Sequence, residues 1–285
     1  MKFNENAQLD PSGVRGGGSG GGRIAVGGIG GLVVILLAMF LGIDPAGLIG
    51  EATTTAGASA QPTLQNCRSV GDLDADRECR WVAYQNSIET YWGSAVQGYQ
   101  PATFSPFRDQ VTTACGNATS DVGPFYCPSD RTVYLDESFF DVLEQQFGAS
   151  GTPAVEAYVM AHEYGHHVQN LVGILNQIDR STGASSAAVR SELQADCFAG
   201  VWFAHASDDP NGPISEISAQ DIVEARAAAQ AIGDDRIQQS ATGRVDRESW
   251  THGSSAQREK WLLTGYRTGD PNQCDTWSAS AGQLG

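Results

Sequence analysis

The stretch Ala161-His162-Glu163-Tyr164-Gly165-His166-His167-Val168-Gln169-Asn170-Leu171 decides how the chain is read. On a helix, residues four apart lie one turn above each other, so the imidazoles of His162 and His166 point the same way. They can grip one Zn²⁺, with Glu163 beside them facing the water such an ion would hold. The pattern predicts a helix that opens at Thr152-Pro153, with a capping hydroxyl and a proline at the first helical position, and runs to about Gly173. Gly165 inside the motif costs a helix interior ~1 kcal/mol, so close packing or function has to require it. His167 points about 100° round the helix and, like His205 further on, reads as a structural or surface histidine.

Two histidines leave a catalytic metal site one protein ligand short. A third histidine in the metzincin pattern needs glycine and histidine at 169 and 172, where this chain has Gln169 and Val172. Downstream, Ser191-Glu192-Leu193-Gln194-Ala195-Asp196 puts two carboxylates four apart on one face of the next expected helix, 187–205. Glu192 can complete a His₂Glu set, and Asp196 can accept the other ring N–H of a ligand histidine and fix its tautomer. Leu193, Ala195, Cys197, Phe198, Val201 and Trp202 make this helix apolar on most sides, so its two acids need partners. His252 stands in Thr251-His252-Gly253-Ser254-Ser255, just before a helix start, where it can face a cleft and stabilise an oxyanion. Arg258, about one turn further on, can anchor Asp or Glu within the fold.

Around these motifs the pattern is helix-dominated α+β. A helix is expected over 80–96, where Trp81, Val82, Tyr84, Ile88, Tyr91 and Trp92 suit one buried face, and Arg131–Leu135 reads as a strand, an edge strand able to pair with an extended substrate. Ser218 with Asp221 starts a helix ending at Gly233, and Ser254 with Gln257 has capping-box spacing before another around Trp261. Six cysteines divide into two local pairs, Cys67 with Cys79 and Cys115 with Cys127, leaving Cys197 and Cys274 for a long-range third. None has zinc-finger spacing, so disulfides in an oxidising compartment are expected.

The ends of the domain come from composition. Gly16–Gly22 lies in a stretch, 1–23, expected to be a flexible cytoplasmic tail. Residues 24–43 (IAVGGIGGLVVILLAMFLGI) carry no charge and, as a helix, have the length of a transmembrane span. Lys2, Arg15 and Arg23 before it, with Asp44 and Glu51 after it, predict a single pass through the cell membrane with the N-terminus cytoplasmic. Residues 44–66 then form a linker, and 67–285 the extracytoplasmic domain. With 33 acidic residues against 17 basic and a net charge of -16, the 285-residue chain repels phosphate backbones, so nucleic acid is not an expected partner.

Together with the N-terminal apolar segment, VGPFYCPSDRTVYLDESFF (122–140), AHEYGHHVQNL (161–171), SELQADCFAGVW (191–202) and THGSSAQR (251–258) resemble the neutral zinc metallopeptidase family of bacterial membrane-anchored proteins. The resemblance implies a zincin-type fold, gluzincin-like ligation of Zn²⁺ by His162, His166 and Glu192, Glu163 as base, and a protein or peptide substrate. The alternative is a catalytically silent binding module in which zinc holds two helices together. Glu163 separates the two readings, because a structural site needs no base beside its metal.

Overall fold

The computed structural model describes residues 1–15, 64–69, 73, 77–136, 138–147, 151–179 and 181–285. After a first strand, β1 (Lys2–Phe3), the chain forms helix α1 (Arg77–Ala95) and then a run of short strands: β2 (Thr103–Phe107), β3 (Gln110–Thr113), β4 (Gly116–Thr119), β5 (Phe125–Cys127) and β6 (Thr132–Asp136). Helices α2 (Phe139–Phe147), α3 (Pro153–Leu171) and α4 (Ala187–His205) follow, then β7 (Ile214–Glu216), α5 (Ala219–Ala231), α6 (Asp234–Thr242), α7 (Ser255–Thr268) and a final turn, α8 (Ala281–Leu284). The helix-rich α+β character expected from the sequence is what the fold shows.

Helix α3 begins with Pro153 at its first positions, but Thr152 makes no side-chain capping bond and its hydroxyl is buried without a partner. Proline therefore sets this helix start, and the expected hydroxyl cap does not form. Both expected capping boxes are present, Ser218 with Asp221 and Ser254 with Gln257. The second fixes the start of α7, four residues before Arg258.

Three helices meet at contacts that only small residues allow. A Cβ added at Gly165 would lie 3.0 Å from the Cα and carbonyl oxygen of Ala195, so α3 and α4 touch almost backbone to backbone across the motif. At Gly265 of α7 it would fall 1.9 Å from the Cys197 carbonyl oxygen, and at Gly200 of α4 2.0 Å from that of Leu262. No side chain fits there. Around these contacts Trp81, Trp92, Trp202, Tyr84, Tyr158, Phe104 and Phe203 are almost wholly buried, forming one core between α1, α3 and α4.

The strands form three small sheets. β6 lies at the centre of the largest, parallel to β2 and antiparallel to β5. The edge strand expected at Arg131–Leu135 is thus corrected, since both its edges are already paired. The partner it gains, Thr103-Phe104-Ser105-Pro106-Phe107, contains a proline that lacks an N–H and suits an outer strand. Disulfides join Cys67 to Cys79, Cys115 to Cys127 and Cys197 to Cys274, the three expected pairs.

Residues 1–15 differ from the expected flexible tail. β1 pairs antiparallel with β7, the Met1 ammonium contacts Asp221, and Leu9 and Val14 are buried in the core. The Leu9 N–H donates to the Arg68 carbonyl and the Arg15 N–H to that of Phe104. These residues cannot pair with β7 and β2 from across a bilayer, which corrects the expected cytoplasmic placement of the N-terminus. Among the described residues no helix is long and apolar enough to cross a membrane, and residues 24–43 lie outside them. The described residues therefore do not support the expected transmembrane helix or the single-pass localisation built on it, whereas three disulfides fit an oxidising compartment.

Candidate metal centre

His162 and His166 project from one face of α3, their rings 4.8 Å apart and nearly perpendicular. The close contact at Gly165 presses α4 against this face and brings Glu192 opposite both rings. Glu192 Oε2 lies 3.2 Å from His162 Nε2, and Oε1 lies 3.4 Å from His166 Nε2. One ligand atom from each residue falls within 4.8 Å of the others, and all three side chains are buried.

The other nitrogen of each ring is spoken for. His162 Nδ1 lies 2.9 Å from Asp196 Oδ1, and His166 Nδ1 lies 2.9 Å from the side-chain oxygen of Gln169. With both Nδ1 atoms engaged in this way, the two Nε2 atoms and a carboxylate face one another, an arrangement that could hold a metal ion. Tetrahedral zinc, with bonds of about 2.0–2.2 Å, sets neighbouring donors about 3.3 Å apart. The two carboxylate-to-imidazole spacings, 3.2 and 3.4 Å, match that ion, and the three donors taken one per residue lie within 4.8 Å of one another.

Charge is distributed unevenly around the triad. Asp196 is fully buried; burial works against its ionisation, but Arg258 and His162 hold it down to about 2. Arg258 Nε donates to Asp196 Oδ2 at 2.8 Å and Nη2 to Oδ1 at 3.0 Å, and the Tyr158 hydroxyl donates to Oδ1 at 2.6 Å. Burial also opposes charge on His162, yet Asp196 and Glu192 raise it to about 10, so this pocket holds positive charge strongly. Burial resists ionisation of Glu192 too, but the neighbouring His166, His252 and His162 keep it well below the usual carboxylate range. Glu163 differs: burial raises its carboxyl, only partly offset by His162 and His166. Of the pocket's three carboxyls, Glu163, Glu192 and Asp196, it alone has its proton affinity raised.

His252 is presented by a loop built on Asp234, at the start of α6. Asp234 Oδ2 accepts the backbone N–H groups of Thr251, His252 and Gly253 at 2.9, 2.7 and 2.8 Å, while Oδ1 lies 3.4 Å from His252 Nδ1. Gly253 sits at φ +92 with Leu193 and Val189 against it, so the loop lies on α4. Burial lowers the proton affinity of His252, but Glu192 and Asp234 raise it above the ordinary value, which sets this imidazole within the field of the triad.

His167 is buried between the Tyr126 hydroxyl at 2.9 Å and the Gln100 carbonyl at 2.7 Å, and burial lowers it to about 4. It is a neutral packing group, apart from the triad. His205 stacks on Tyr91 and bonds Asp208. The residues that sequence reasoning missed are Tyr158, Gln169 and Asp234. Gln169 carried a usable signal, since it lies three residues after His166 on the same helix face. Asp234 carried none, because only the fold brings it to residues 251–253.

Fold and site together define a helix-rich α+β protein in which a His-Glu-x-x-His helix and the helix after it bring together two imidazoles and a carboxylate that could hold a metal ion. The family model described as "Putative neutral zinc metallopeptidase" matches residues 4–277, and the chain belongs to that family. The relatives include the uncharacterised protein Rv2575 of Mycobacterium tuberculosis, 50% identical over 251 residues, which are 85% of this chain and 86% of the relative. The uncharacterised protein YpfJ of Escherichia coli is 40% identical over 261 residues, covering 87% and 86% of the two chains. No solved structure matches.

Proposed function

We propose that the protein hydrolyses peptide bonds in a zinc-dependent reaction, with His162, His166 and Glu192 holding the metal and Glu163 as the base. The observation that supports this most is a buried carboxyl, its proton affinity raised by burial, next in sequence to one member of a three-donor set that could hold a metal ion. When bound, zinc supplies Lewis acidity, making water a nucleophile near neutral pH and polarising the scissile carbonyl. Glu163 takes the proton of the attacking water at its carboxylate and then delivers it to the leaving amine nitrogen. His252, held by Asp234 and its loop, donates to the oxygen that gains charge as the carbonyl becomes tetrahedral. Asp196, clamped by Arg258 and Tyr158, keeps the His162 ring in the tautomer that leaves Nε2 bare.

A peptide-library digest by the full chain tests this reading, with Glu163→Gln as its control. Loss of the base lowers turnover by ~10²–10⁴-fold while zinc stays bound. Hydrolysis retained by Glu163→Gln contradicts the assignment. Zinc bound by a wild-type protein that cuts nothing favours the silent binding module instead. For His252→Ala, a fall of about 10²–10³-fold in turnover at unchanged zinc content is expected, and unchanged turnover removes His252 from the mechanism.

A further inference from the structure

We propose that Gln169 is the positioning residue for the second imidazole, and that Gln194 and the carbonyl of Cys274 form a neutral support line behind it. The proposal rests on the zinc reading of the triad and assigns a role to a residue outside it.

Gln169 is wholly buried, and its amide has no spare hydrogen-bonding capacity. Its oxygen accepts from His166 Nδ1 and from the Ser191 hydroxyl, each at 2.9 Å. Its nitrogen donates to the Ser191 carbonyl at 2.8 Å and to the Gln194 side-chain oxygen at 3.0 Å. A backbone carbonyl can only accept, so the Ser191 contact fixes which end of the amide is nitrogen. Its oxygen must then face the imidazole, and Nδ1 must carry the hydrogen. His166 Nε2, 3.4 Å from Glu192, is left with its lone pair toward the metal position.

The same logic runs one step further back. Gln194 Nε2 donates to the Cys274 carbonyl at 2.9 Å, which fixes that amide with its oxygen toward Gln169, where Trp277 Nε1 also reaches it at 3.3 Å. Cys274 is tied covalently to Cys197 of α4. Each donor and acceptor in this line has one permitted direction, ending on a segment the disulfide holds in place.

An amide here has a physical reason. Glu163, Glu192 and Asp196 already place three buried carboxyls around two imidazoles. A fourth would add another charge to desolvate, whereas an amide oxygen orients the ring without one.

The test uses the full chain and two readouts. Gln169→Met keeps the volume and removes both polar ends. Chelator-competition titration of zinc is expected to show affinity weakened 10–100-fold, with a smaller loss for Gln194→Met. In the metal-free protein, at a pH high enough for the ring to be neutral, ¹⁵N shifts are expected to show His166 as the Nδ1–H tautomer, becoming mixed in Gln169→Met. Gln169→Glu keeps an oxygen toward His166 and, when protonated, one donor toward the Ser191 carbonyl, so it should restore both readouts at a cost in stability. A residue that only filled space would change stability without moving the tautomer.

Zinc affinity and tautomer both unchanged in Gln169→Met overturn the proposal. If wild type binds no zinc, the metal reading fails by itself, and the tautomer measurement still decides the role of Gln169. Should Gln169→Met fail to fold, an unchanged tautomer and zinc affinity in Gln194→Met overturn the support line.

Discussion

Helix α3 takes part in two clusters of similar composition, one at its first turn and one at its middle, and an imidazole sets the second apart. Glu156 takes Arg80 through two bonds of 2.9 and 3.0 Å, Arg77 at 2.9 Å and the Tyr84 hydroxyl at 3.4 Å. Asp196 takes Arg258 through two bonds of 2.8 and 3.0 Å and the Tyr158 hydroxyl at 2.6 Å. Both are guanidinium, carboxylate and phenol. In the first cluster the carboxylate is committed to groups that only hold α1 against α3. In the second, the same oxygen that accepts from Tyr158 also accepts from His162. A pattern that locks a helix in one place thus becomes, through one imidazole, the outer support of a proposed metal ligand in the other.

The largest effect that separates the clusters is expected from Arg258→Met. Stripping the buried Asp196 of its guanidinium costs about 3–5 kcal/mol of stability in urea unfolding. It also frees the His162 ring, so zinc affinity in the folded protein falls by about 10–100-fold. Arg80→Met leaves Glu156 with Arg77 and Tyr84, so the unfolding cost drops to about 3 kcal/mol, and zinc affinity stays at the wild-type value. A matching loss of zinc affinity in both variants would erase the distinction between the clusters.

Glu89 on α1 sharpens the structural side. Burial raises its carboxyl to about 7, against smaller opposing effects from Tyr99 and the Ala102 N–H. The folded state therefore holds this proton more tightly than the unfolded chain. Its contribution is full below about pH 4.5 and is lost as pH rises through 7, up to about 3 kcal/mol. Unfolding measured across that range should show the decline in wild type and a flatter profile in Glu89→Gln. Equal slopes would show that Glu89 does not titrate as its burial dictates. The smallest effect is expected at the start of α7, where Ser254→Ala removes one half of the capping box for about 1 kcal/mol. That loss should add a slight weakening of zinc binding through Arg258, which a titration can detect.

Much of the helical half was legible because its signals are local. The four-residue spacing of His162 and His166, the carboxylates of Glu192 and Asp196, and the capping boxes at Ser218 and Ser254 all depend on residues within a turn of each other. Cysteine spacing paired Cys67 with Cys79 and Cys115 with Cys127 for the same reason. The strand region resisted reading. β3 and β4, Gln-Val-Thr-Thr and Gly-Asn-Ala-Thr, have little apolar alternation, and the proline in β2 masks a strand. The first fifteen residues read as a flexible tail alongside the glycine run 16–22 because their partners are more than fifty positions away, at Arg68, Phe104 and Ile214. Gln169 entered the sequence reading as the residue that excludes another ligand pattern, and its place three residues after His166 was the one local hint of its role. Its role depends on Ser191 and Gln194, which reach it only when Gly165 lets α4 approach.

The account stands on one metal position defined by His162, His166 and Glu192, and metal analysis of the full chain tests it most directly. One zinc per chain in wild type, lost in Glu192→Ala and in His166→Ala but kept in Glu163→Gln, is the predicted result. Wild type purified without zinc and unable to take it up, or Glu192→Ala holding zinc as tightly as wild type, would contradict it.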